Sequence, residues 1–530
     1  MIHPPLWLAL TAVMAAVVPA GLHFLLQHSP TQQKYLLETM AGGVALLDYD
    51  QDGRLDIFFV NGGYLDDRHS VGDDFRRTQP AFWNRLFRQN QDGSFTDVTA
   101  SVGLNTGPNA FGMGAAVGDI DNDGYPDLYV TAYGGNVLYR NEGGQRFSDI
   151  TRAAGVVAGG WSVSAGFLDY DNDGLLDLFV VRYLKYDLQH NILCGLPLHT
   201  YCRPDRYQGA TNLLFHNEGH GRFRDVSRES GIGAHTGNGM GLAFEDYDDD
   251  GFTDIFVAND LSPQFLFHNR RNGTFEEVAL EAGVALSEDG KTYSGMGASW
   301  ADYDNDGKAD IVVTNLALEK WALYRNEGRG LFSWASSRSG LAGWSAPRSG
   351  WGVALADLNN DGWKDLVAAC SHVLDNVERL HAGLRYREPP IVLLNQQGRF
   401  QPAEIAGAES VAGRGLAYGD LNNDGALDAV IAVLGARPMV LYGRPTPNAW
   451  LGLQLRGRSS NRDGLGAVVR AAGQRFFVTT SGSYLAAHDP RVHIGLGKTA
   501  GTDVEIRWPS GRRQLLLNIK PNQFLEVREP

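Results

Sequence analysis

The sequence is dominated by an acidic nine-residue pattern that occurs seven times. The pattern reads Asp-x-Asp/Asn-x-Asp-Gly-x-x-Asp and is followed each time by a short apolar run. The copies begin at Asp48, Asp119, Asp169, Asp246, Asp302, Asp357 and Asp420. Successive copies are 50 to 77 residues apart, and recurrence at such periods indicates a propeller or a solenoid array.

Each repeat carries the signals of four short antiparallel strands, named A to D. A Gly-rich stretch such as 112–120 precedes the acidic loop, and a β-branched or aromatic run such as 255–257 follows it. A Leu-Phe/Tyr-x-Asn stretch, a Gly turn and a Phe-x-Asp/Glu stretch then predict a hairpin. The pattern therefore predicts an all-β fold, a seven-bladed β-propeller over residues 31–445.

The seventh repeat lacks a recognisable D strand. Residues 33–43 precede the first A strand, where the D strand of a closed ring would end. We therefore expect this segment to supply the outer strand of blade seven.

The acidic loops have the chemistry of calcium sites. Carboxylates at positions 1, 3, 5 and 9, with the carbonyl oxygen of position 7, form an all-oxygen cage that suits Ca²⁺. An EF-hand would need Glu at position 12, where the first copy has Phe59 and the second has Val130. No Cys or His lies in any loop, which disfavours soft metals. We predict up to seven structural Ca²⁺ ions.

The predicted calcium ligands, loop by loop, are Asp48, Asp50, Asp52, Arg54 and Asp56; Asp119, Asp121, Asp123, Tyr125 and Asp127; Asp169, Asp171, Asp173, Leu175 and Asp177; Asp246, Asp248, Asp250, Phe252 and Asp254; Asp302, Asp304, Asp306, Lys308 and Asp310; Asp357, Asn359, Asp361, Trp363 and Asp365; and Asp420, Asn422, Asp424, Ala426 and Asp428. Position 7 contributes only its carbonyl. Because Asn359 and Asn422 each remove one charge, we expect the sixth and seventh sites to bind more weakly.

The formal net charge of -15 is concentrated in these loops. Outside the ligand positions, basic residues outnumber acidic ones. A strongly acidic chain is a poor match for a polyanion, which argues against nucleic acid as a partner.

The first 30 residues have the composition of a targeting segment. Residues 6–26 form an uncharged apolar run, which predicts an N-terminal apolar helix acting as a signal peptide or a membrane anchor. Either role places the protein outside the cytoplasm, as a periplasmic, secreted or membrane-anchored chain. In an oxidising compartment we expect Cys194 and Cys202 to form a disulfide.

Residues 446–530 are predicted to form a separate small β domain, because the acidic loops stop and short alternating strands begin. The seven loops with their Gly-rich A strands resemble FG-GAP/VCBS repeats of integrin-α-like propellers. The stretches 460–467, 481–497 and 508–511 resemble the ASPIC/UnbV domain, and the combination resembles cartilage acidic protein-like proteins. The resemblance implies a secreted or membrane-attached, calcium-binding protein of the recognition or adhesion type.

Insertions mark the face on which a ligand is expected. Connections B–C are long in blades one, three and six, at residues 61–85, 181–212 and 370–391. In a propeller these connections share a face with the D–A turns, opposite the acidic loops, and long loops on a rigid scaffold commonly carry binding. The ligand would be a glycan, a peptide or a protein, and the candidate contacts are Trp161, His235, Tyr293, Trp344, Arg348, Trp351 and His372.

Two alternatives remain open. The sequence contains no Gly-x-Ser-x-Gly, His-Glu-x-x-His or phosphate-loop motif, so no catalytic residue is predicted. A propeller enzyme with acid/base or second-metal chemistry on the insertion face is one alternative. A scaffold subunit that docks a partner through its ASPIC-like domain is the other.

Overall fold

The computed structural model describes residues 12–69 and 74–530, and strands dominate it. Within that part of the chain, seven sheets each contain four main strands in the order A-B-C-D, every neighbouring pair antiparallel. The prediction of an all-β fold built from four-stranded sheets is confirmed.

The strands of blades one to three, from the axis outwards, are Val44–Leu47, Asp56–Phe59, Arg85–Gln89 and Phe95–Asp97; Phe111–Gly118, Asp127–Tyr133, Val137–Asn141 and Phe147–Asp149; and Ser162–Leu168, Asp177–Arg182, Leu213–Asn217 and Phe223–Asp225. Those of blades four to six are Gly239–Glu245, Asp254–Asn259, Phe265–Asn269 and Phe275–Glu277; Ala298–Ala301, Asp310–Val313, Ala322–Gly328 and Leu331–Trp334; and Gly350–Ala356, Asp365–Cys370, Ile391–Asn395 and Phe400–Ala403. Blade seven has Gly413–Gly419, Asp428–Val433, Met439–Gly443 and, as its fourth strand, Met14–Val17.

The A strands surround a central axis. Each contacts the A strand of the next blade, and that of blade seven contacts that of blade one. Glycine permits this close approach: a Cβ atom on Gly114 would lie 2.8 Å from the Val163 carbonyl oxygen of the neighbouring A strand. The Gly-rich A strands of the sequence are therefore required by packing at the axis.

Residues 14–17 close the ring, whereas residues 33–43, which were expected to do so, do not. Met14–Val17 pairs antiparallel with Met439–Gly443, and Ile405–Ala406 adds a short parallel pairing on its other side. Residues 33–43 instead contain the 3₁₀ helix Leu36–Thr39. The prediction of an apolar helix is wrong for residues 14–17; residues 1–11 lie outside the described part.

The apolar side chains after this strand are buried against the propeller. Leu22, Phe24 and Leu26 are each at most 2% exposed, and Phe24 stacks on Phe59 with ring centroids 4.7 Å apart. Their place in the propeller core therefore accounts for the apolar character of this part of the N-terminal segment. No helix in the described ranges has both the length and the apolar character to cross a bilayer.

The remaining helices are short and lie in connections. The 3₁₀ helices, besides Leu36–Thr39, are Pro80–Phe82, Leu188–His190, Pro204–Arg206, Ile232–Ala234 and Val377–Arg379, and the α-helices are Thr151–Ala154, Ala279–Ala282 and Leu341–Ser345. A two-stranded ribbon, Ala210–Thr211 with Thr236–Gly237, ties blade three to the turn that enters blade four.

The C-terminal residues form two facing sheets. One contains Ala449–Arg456, Val492–Gly497 and Gln523–Arg528; the other contains Val468–Ala471, Gln474–Phe477, Thr502–Arg507 and Arg513–Ile519. Their buried side chains, such as Val469 and Trp508, belong to the same apolar cluster as Phe167 and Leu176 of blade three. The C-terminal unit and the propeller therefore share core.

A hairpin of the C-terminal unit enters the axis of the propeller. Its strands are Ser481–Gly482 and Ala486–Ala487, and the second pairs parallel with Val44–Leu47 of blade one. Tyr484 at its tip is fully buried and donates from its hydroxyl to the Met40 carbonyl at 2.9 Å. We call residues 480–488 the axial hairpin; it fills the centre of the ring.

Side-chain amides join neighbouring blades near the acidic loops. At the end of strand C, Asn141 donates to the Tyr49 carbonyl of the preceding blade at 2.9 Å, and equivalent bonds are made by Gln89, Asn217, Asn269, Asn326 and Asn395. A second set of amide bonds joins each loop to the loop of the following blade. Asn122, at loop position 4, donates to the Gly174 carbonyl of the next loop at 2.9 Å. Equivalent bonds to the glycine carbonyl of the next loop are made by Asn172, Asn305, Asn360 and Asn423.

Candidate functional site

The backbone of each acidic loop is folded around its own carboxylates. In the first loop, Asp48 accepts from the amide nitrogens of Asp52 at 3.0 Å and Gly53 at 2.9 Å. Gly53 has a φ of 83°, which favours glycine at position 6. The same pair of bonds recurs in the other six loops, so all seven have one backbone design.

Carboxylate oxygens at positions 1, 3 and 9 converge, and this donor set fits a hard cation. Oxygens of Asp48, Asp50 and Asp56 lie within 4.8 Å of one another, and the second loop has the same arrangement. At position 3, one buried oxygen each of Asp50, Asp171 and Asp304 has no hydrogen-bond partner. Buried carboxylate oxygens are normally paired, so these three are suited to coordinate a metal ion. The all-oxygen donor set is the one Ca²⁺ prefers.

Without a bound ion, burial makes the charged carboxylates of each loop unfavourable in free energy. It raises the pKa of Asp48 to about 6, that of Asp119 to about 7 and that of Asp169 to about 8, with neighbouring carboxylates adding to each effect. A divalent cation among these groups would favour their charged forms.

Backbone amides also hold the carboxylates at positions 5 and 9. The position-5 carboxylate accepts from the position-7 amide in every loop, as Asp52 does from Arg54 at 3.0 Å. At position 9, Asp56 accepts from the amides of Tyr49 and Gln89, which fixes its orientation. Calcium coordination by the position-7 carbonyls stays a prediction.

A basic side chain from strand C accompanies the loops that have Asp at position 3. Arg140 lies 2.6 Å from Asp121, the Nε atom of Arg325 lies 2.5 Å from Asp304, and His216 lies 3.6 Å from Asp171. The residue at this position is Arg88, Arg140, His216, His268 and Arg325 in blades one to five, and Leu394 and Tyr442 in blades six and seven. Arg140 and Arg325 pair with the loop carboxylates, whereas His216 and His268 also belong to clusters whose ligand atoms could hold a metal ion.

The sixth and seventh loops lack both members of this pairing, and their weaker binding stays a prediction. Asn359 and Asn422 each delete a carboxylate, but Leu394 and Tyr442 delete the matching cation. The two His side chains were not visible as loop neighbours in the sequence, because strand C follows the loop by many residues. In the ion-free loop, a hydrogen bond to Asp177 raises the pKa of His216 to about 8.

The C-terminal unit covers the face that carries the acidic loops. Arg475 lies 2.8 Å from Glu245 and 3.4 Å from Asp249. Arg507 bonds to Asp246 of the fourth loop, and Arg491 donates to the Asp420 carbonyl of the seventh at 2.8 Å.

The opposite face contains a cavity of about 410 Å³. Most of its wall is apolar, from Met40, Met240, Met296, Leu316, Trp351 and Leu374. The axial hairpin lies behind this wall, since Tyr484 packs against Trp351 with ring centroids 5.1 Å apart. A pocket of this size with few polar groups is the usual form of a small-ligand site.

Two of the three long B–C connections form the rim of this cavity. Connection 181–212 contributes Thr200, Cys202 and Arg203, and connection 370–391 contributes His372 and Leu380. The structure joins Cys194 to Cys202 by a disulfide with Cα atoms 5.4 Å apart, which closes the first connection on itself. Residues 70–73 of connection 61–85 lie outside the described part.

Of the seven candidate ligand contacts, Trp351 and His372 line the cavity. The other five are engaged elsewhere: Trp161 is fully buried against Tyr183, His235 packs on Phe265, Tyr293 donates to Asp289, Trp344 donates to the Phe400 carbonyl, and Arg348 lies 3.9 Å from Glu388. Sequence reasoning missed Met240 and Met296, although each lies in a Gly-Met-Gly triplet before or within an A strand.

At its blade four and five side the cavity has polar groups that the sequence did not single out. Tyr183 donates to Asp260 at 2.8 Å, and the Ser294 amide donates to Glu319 at 2.8 Å. Burial raises the pKa of Asp260 to about 7 and also raises that of Glu319. On the blade six and seven side, Arg414 is fully buried behind the wall and stacks on Trp351 at 3.9 Å.

Comparison with known proteins identifies both parts of the chain. A family model described as FG-GAP-like repeat matches residues 48–130, 119–180, 246–313 and 302–368, and one described as ASPIC and UnbV matches residues 457–530. Cartilage acidic protein 1 of Mus musculus is 26% identical over all of this chain and 80% of its own length. Integrin alpha-7 of Mus musculus is 38% identical over 16% of this chain and 7% of its own length. A crystal structure of the BP39L lectin from Burkholderia pseudomallei superposes with a TM-score of 0.47 at 10% identity, covering 76% of this chain and 96% of the lectin.

Proposed function

We propose that this chain, which contains FG-GAP-like repeats and an ASPIC and UnbV domain and is homologous to cartilage acidic protein 1, is a calcium-binding recognition protein. Calcium would be structural, in up to seven acidic loops. The ligand, a glycan, a peptide or a protein, would bind on the opposite face.

The observation that carries the proposal is the apolar cavity on the insertion face. Connections 181–212 and 370–391 form its rim, and Met240 and Trp351 line it from the A strands of blades four and six. A site whose variable loops stand on a rigid ring is suited to recognition. The similarity to integrin alpha-7 and to cartilage acidic protein 1 supports the same class of function.

The acidic loops support the calcium role without contributing to the cavity. They lie at the other ends of the A strands, where bound ions would hold the A–B connections and the amide bonds between blades in place. The unpartnered oxygens of Asp50, Asp171 and Asp304 would each gain a partner.

An extracytoplasmic location is part of the proposal. The disulfide between Cys194 and Cys202 supports it, because such bonds persist in oxidising compartments. Attachment to a membrane through the N-terminal segment 1–30 stays a proposal; residues 12–30 are described as part of the propeller, and residues 1–11 lie outside the described part. We place the boundary between the propeller and the C-terminal domain at residues 445 and 446.

The test is a binding screen of the whole chain against glycan and peptide arrays, in calcium and in a chelator. Leu380 lines the cavity and is 43% exposed, so Leu380→Arg puts a bulky charge at the rim. We expect ligands of one class to bind and to lose at least about tenfold in affinity with this variant, about 1.4 kcal/mol or more.

The matched control is Leu318→Arg, because Leu318 is 72% exposed on the same face but does not line the cavity. It should bind like the unaltered chain. A ligand whose affinity is the same in both variants would bind elsewhere and would contradict the proposed site.

A further inference from the structure

The cavity on the insertion face has more acidic than basic side chains in its lining. Its charged lining residues are Asp260, Glu319 and Arg203. Neither carboxylate has a Lys, Arg or His side chain within ion-pair distance in the described part of the chain. Arg203 acts on both carboxyls only from beyond ion-pair distance. It bonds to Asp205 at 3.2 Å, and its side chain is 70% exposed.

The two carboxylates are held by neutral donors and share Ser294. The Ser294 amide and hydroxyl donate to Glu319 at 2.8 Å and 3.4 Å. Asp260 accepts from the Tyr183 hydroxyl and forms a backbone bridge with Ser294. Their partners on blades three to five therefore fix both carboxylates without supplying a positive charge.

The rest of the wall suits a cation that carries an apolar stem. Three methionines, Met40, Met240 and Met296, line the cavity beside Trp351. Thioether and indole groups pack against alkyl chains. Arg414 behind Trp351 makes the far side of the cavity positive, so it directs a cationic head towards Asp260 and Glu319.

We propose that this cavity takes an organic ammonium group on an apolar stem, as a lysine side chain presents, with Asp260 and Glu319 as its counter-charges. The inference rests on the proposed recognition function and narrows its ligand to a basic peptide. An ammonium in this place would supply the positive charge that both carboxylates lack. A volume of about 410 Å³ accommodates one long side chain with part of its backbone.

The first experiment compares three probes with the same six-carbon chain on the intact protein: hexylamine, hexanol and hexanoate. Calorimetry or ligand-observed NMR in calcium at neutral pH gives the affinities. We expect hexylamine to bind at least about tenfold more tightly than either of the others, equivalent to about 1.4 kcal/mol. Equal binding of hexanol or hexanoate would overturn the assignment, as would no binding of hexylamine.

The second experiment removes the two charges. Asp260→Asn with Glu319→Gln should abolish the preference for hexylamine over hexanol. The matched control Glu288→Gln should retain it, because Glu288 pairs with Lys320 outside the cavity. An unchanged preference in the double variant would contradict the role of the two carboxylates. The probe comparison on the unaltered chain decides the question even if the double variant does not fold.

A third measurement separates the sources of the amine. A short peptide with a central lysine and its Nε-acetylated form are compared with hexylamine. Tighter binding of the free-lysine peptide supports a peptide ligand, and binding of hexylamine alone assigns the site to a small free amine. If hexanol binds as well as hexylamine and Leu380→Arg blocks both, the cavity is a ligand site and only its charge selection is wrong.

Discussion

Arg325 shows how a single basic side chain balances the negative charge of an acidic loop. It contacts Asp304 and Asp306 of the fifth loop and is only 22% exposed. The equivalent residue is Leu394 in blade six, where the loop has Asn359 in place of an aspartate. Basic partners therefore occur where the cage has its full set of carboxylates, and they limit the repulsion within it.

Replacing Arg325 with Leu should destabilise the chain mainly without calcium. In a chelator we expect a loss of about 1–2 kcal/mol, because the fifth loop loses charge-assisted hydrogen bonds. In calcium the loss should be smaller, since the ion neutralises the same carboxylates. Urea unfolding under both conditions measures the difference. Arg338→Leu, at an exposed site paired with Glu327, is the control. An equal loss in both conditions would contradict a role in the cage.

Glu38 is a buried acid outside the metal loops, and it should make stability depend on pH. It is fully buried and accepts from Thr31 at 2.6 Å and Tyr201 at 2.8 Å. Burial raises its pKa to about 7. The folded chain therefore binds this proton more tightly than the unfolded chain. Its contribution to stability is largest below the ordinary carboxyl pKa and is lost as pH rises to about 7.

Glu38→Gln should remove this dependence. At pH 8 the variant should be more stable than the unaltered chain, by an amount on the order of 3 kcal/mol at most. At pH 4.5 the two should be similar. Urea midpoints at both pH values provide the test, with the exposed Glu281→Gln as control. A constant difference between pH 4.5 and 8 would show that ionisation of Glu38 is not the cause.

At the scale of elements, the outer strand of blade seven has the largest consequence for the fold. Met439–Gly443 would be an open sheet edge without Met14–Val17 beside it. The strand also buries Met14 completely in the cluster that joins blades six and seven. A segment that has the composition of a targeting sequence thus provides a structural strand.

Met14→Ala should lower the free energy of unfolding by about 2–5 kcal/mol, because it leaves a cavity in this cluster. Val17→Ala in the same strand should cost less than about 1 kcal/mol, since Val17 is 43% exposed. Chemical denaturation in calcium compares the two. Similar small losses in both variants would show that Met14–Val17 is not docked in solution.

For the whole molecule, the axial hairpin and the shared core join the C-terminal unit to the propeller. Tyr484 reaches the Met40 carbonyl on the insertion face, and Trp508 belongs to a cluster that includes Phe167 of blade three. The C-terminal unit also contacts the fourth and seventh acidic loops. The two parts should therefore unfold together.

Removing calcium should lower the melting temperature of both parts in one step. Each site stabilises the fold by about 2.7 kcal/mol when free calcium is a hundredfold above its Kd. Calorimetry with calcium, with a chelator, and with magnesium in place of calcium tests this. Magnesium should restore little, because it demands a stricter octahedral geometry. A propeller transition that moves while the C-terminal transition stays would contradict the coupling.

The sequence by itself determined the features of the fold that depend on residues close together in the chain. The acidic loops, the four-stranded units and the all-β class follow from patterns a few residues long that repeat along the chain. The turn at Gly53 and the carboxylate bonds of Asp48 are of this kind, because all their partners lie within one loop.

Only the tertiary structure decided what depends on residues far apart. Strand 14–17 pairs with residues more than 400 positions later, Tyr484 meets Met40 across 444 positions, and strand C brings Arg140 to Asp121. The cavity likewise gathers Asp260, Glu319 and Trp351 from three blades. Local sequence patterns do not encode such long-range contacts, because closure of the ring sets which strand ends share a face.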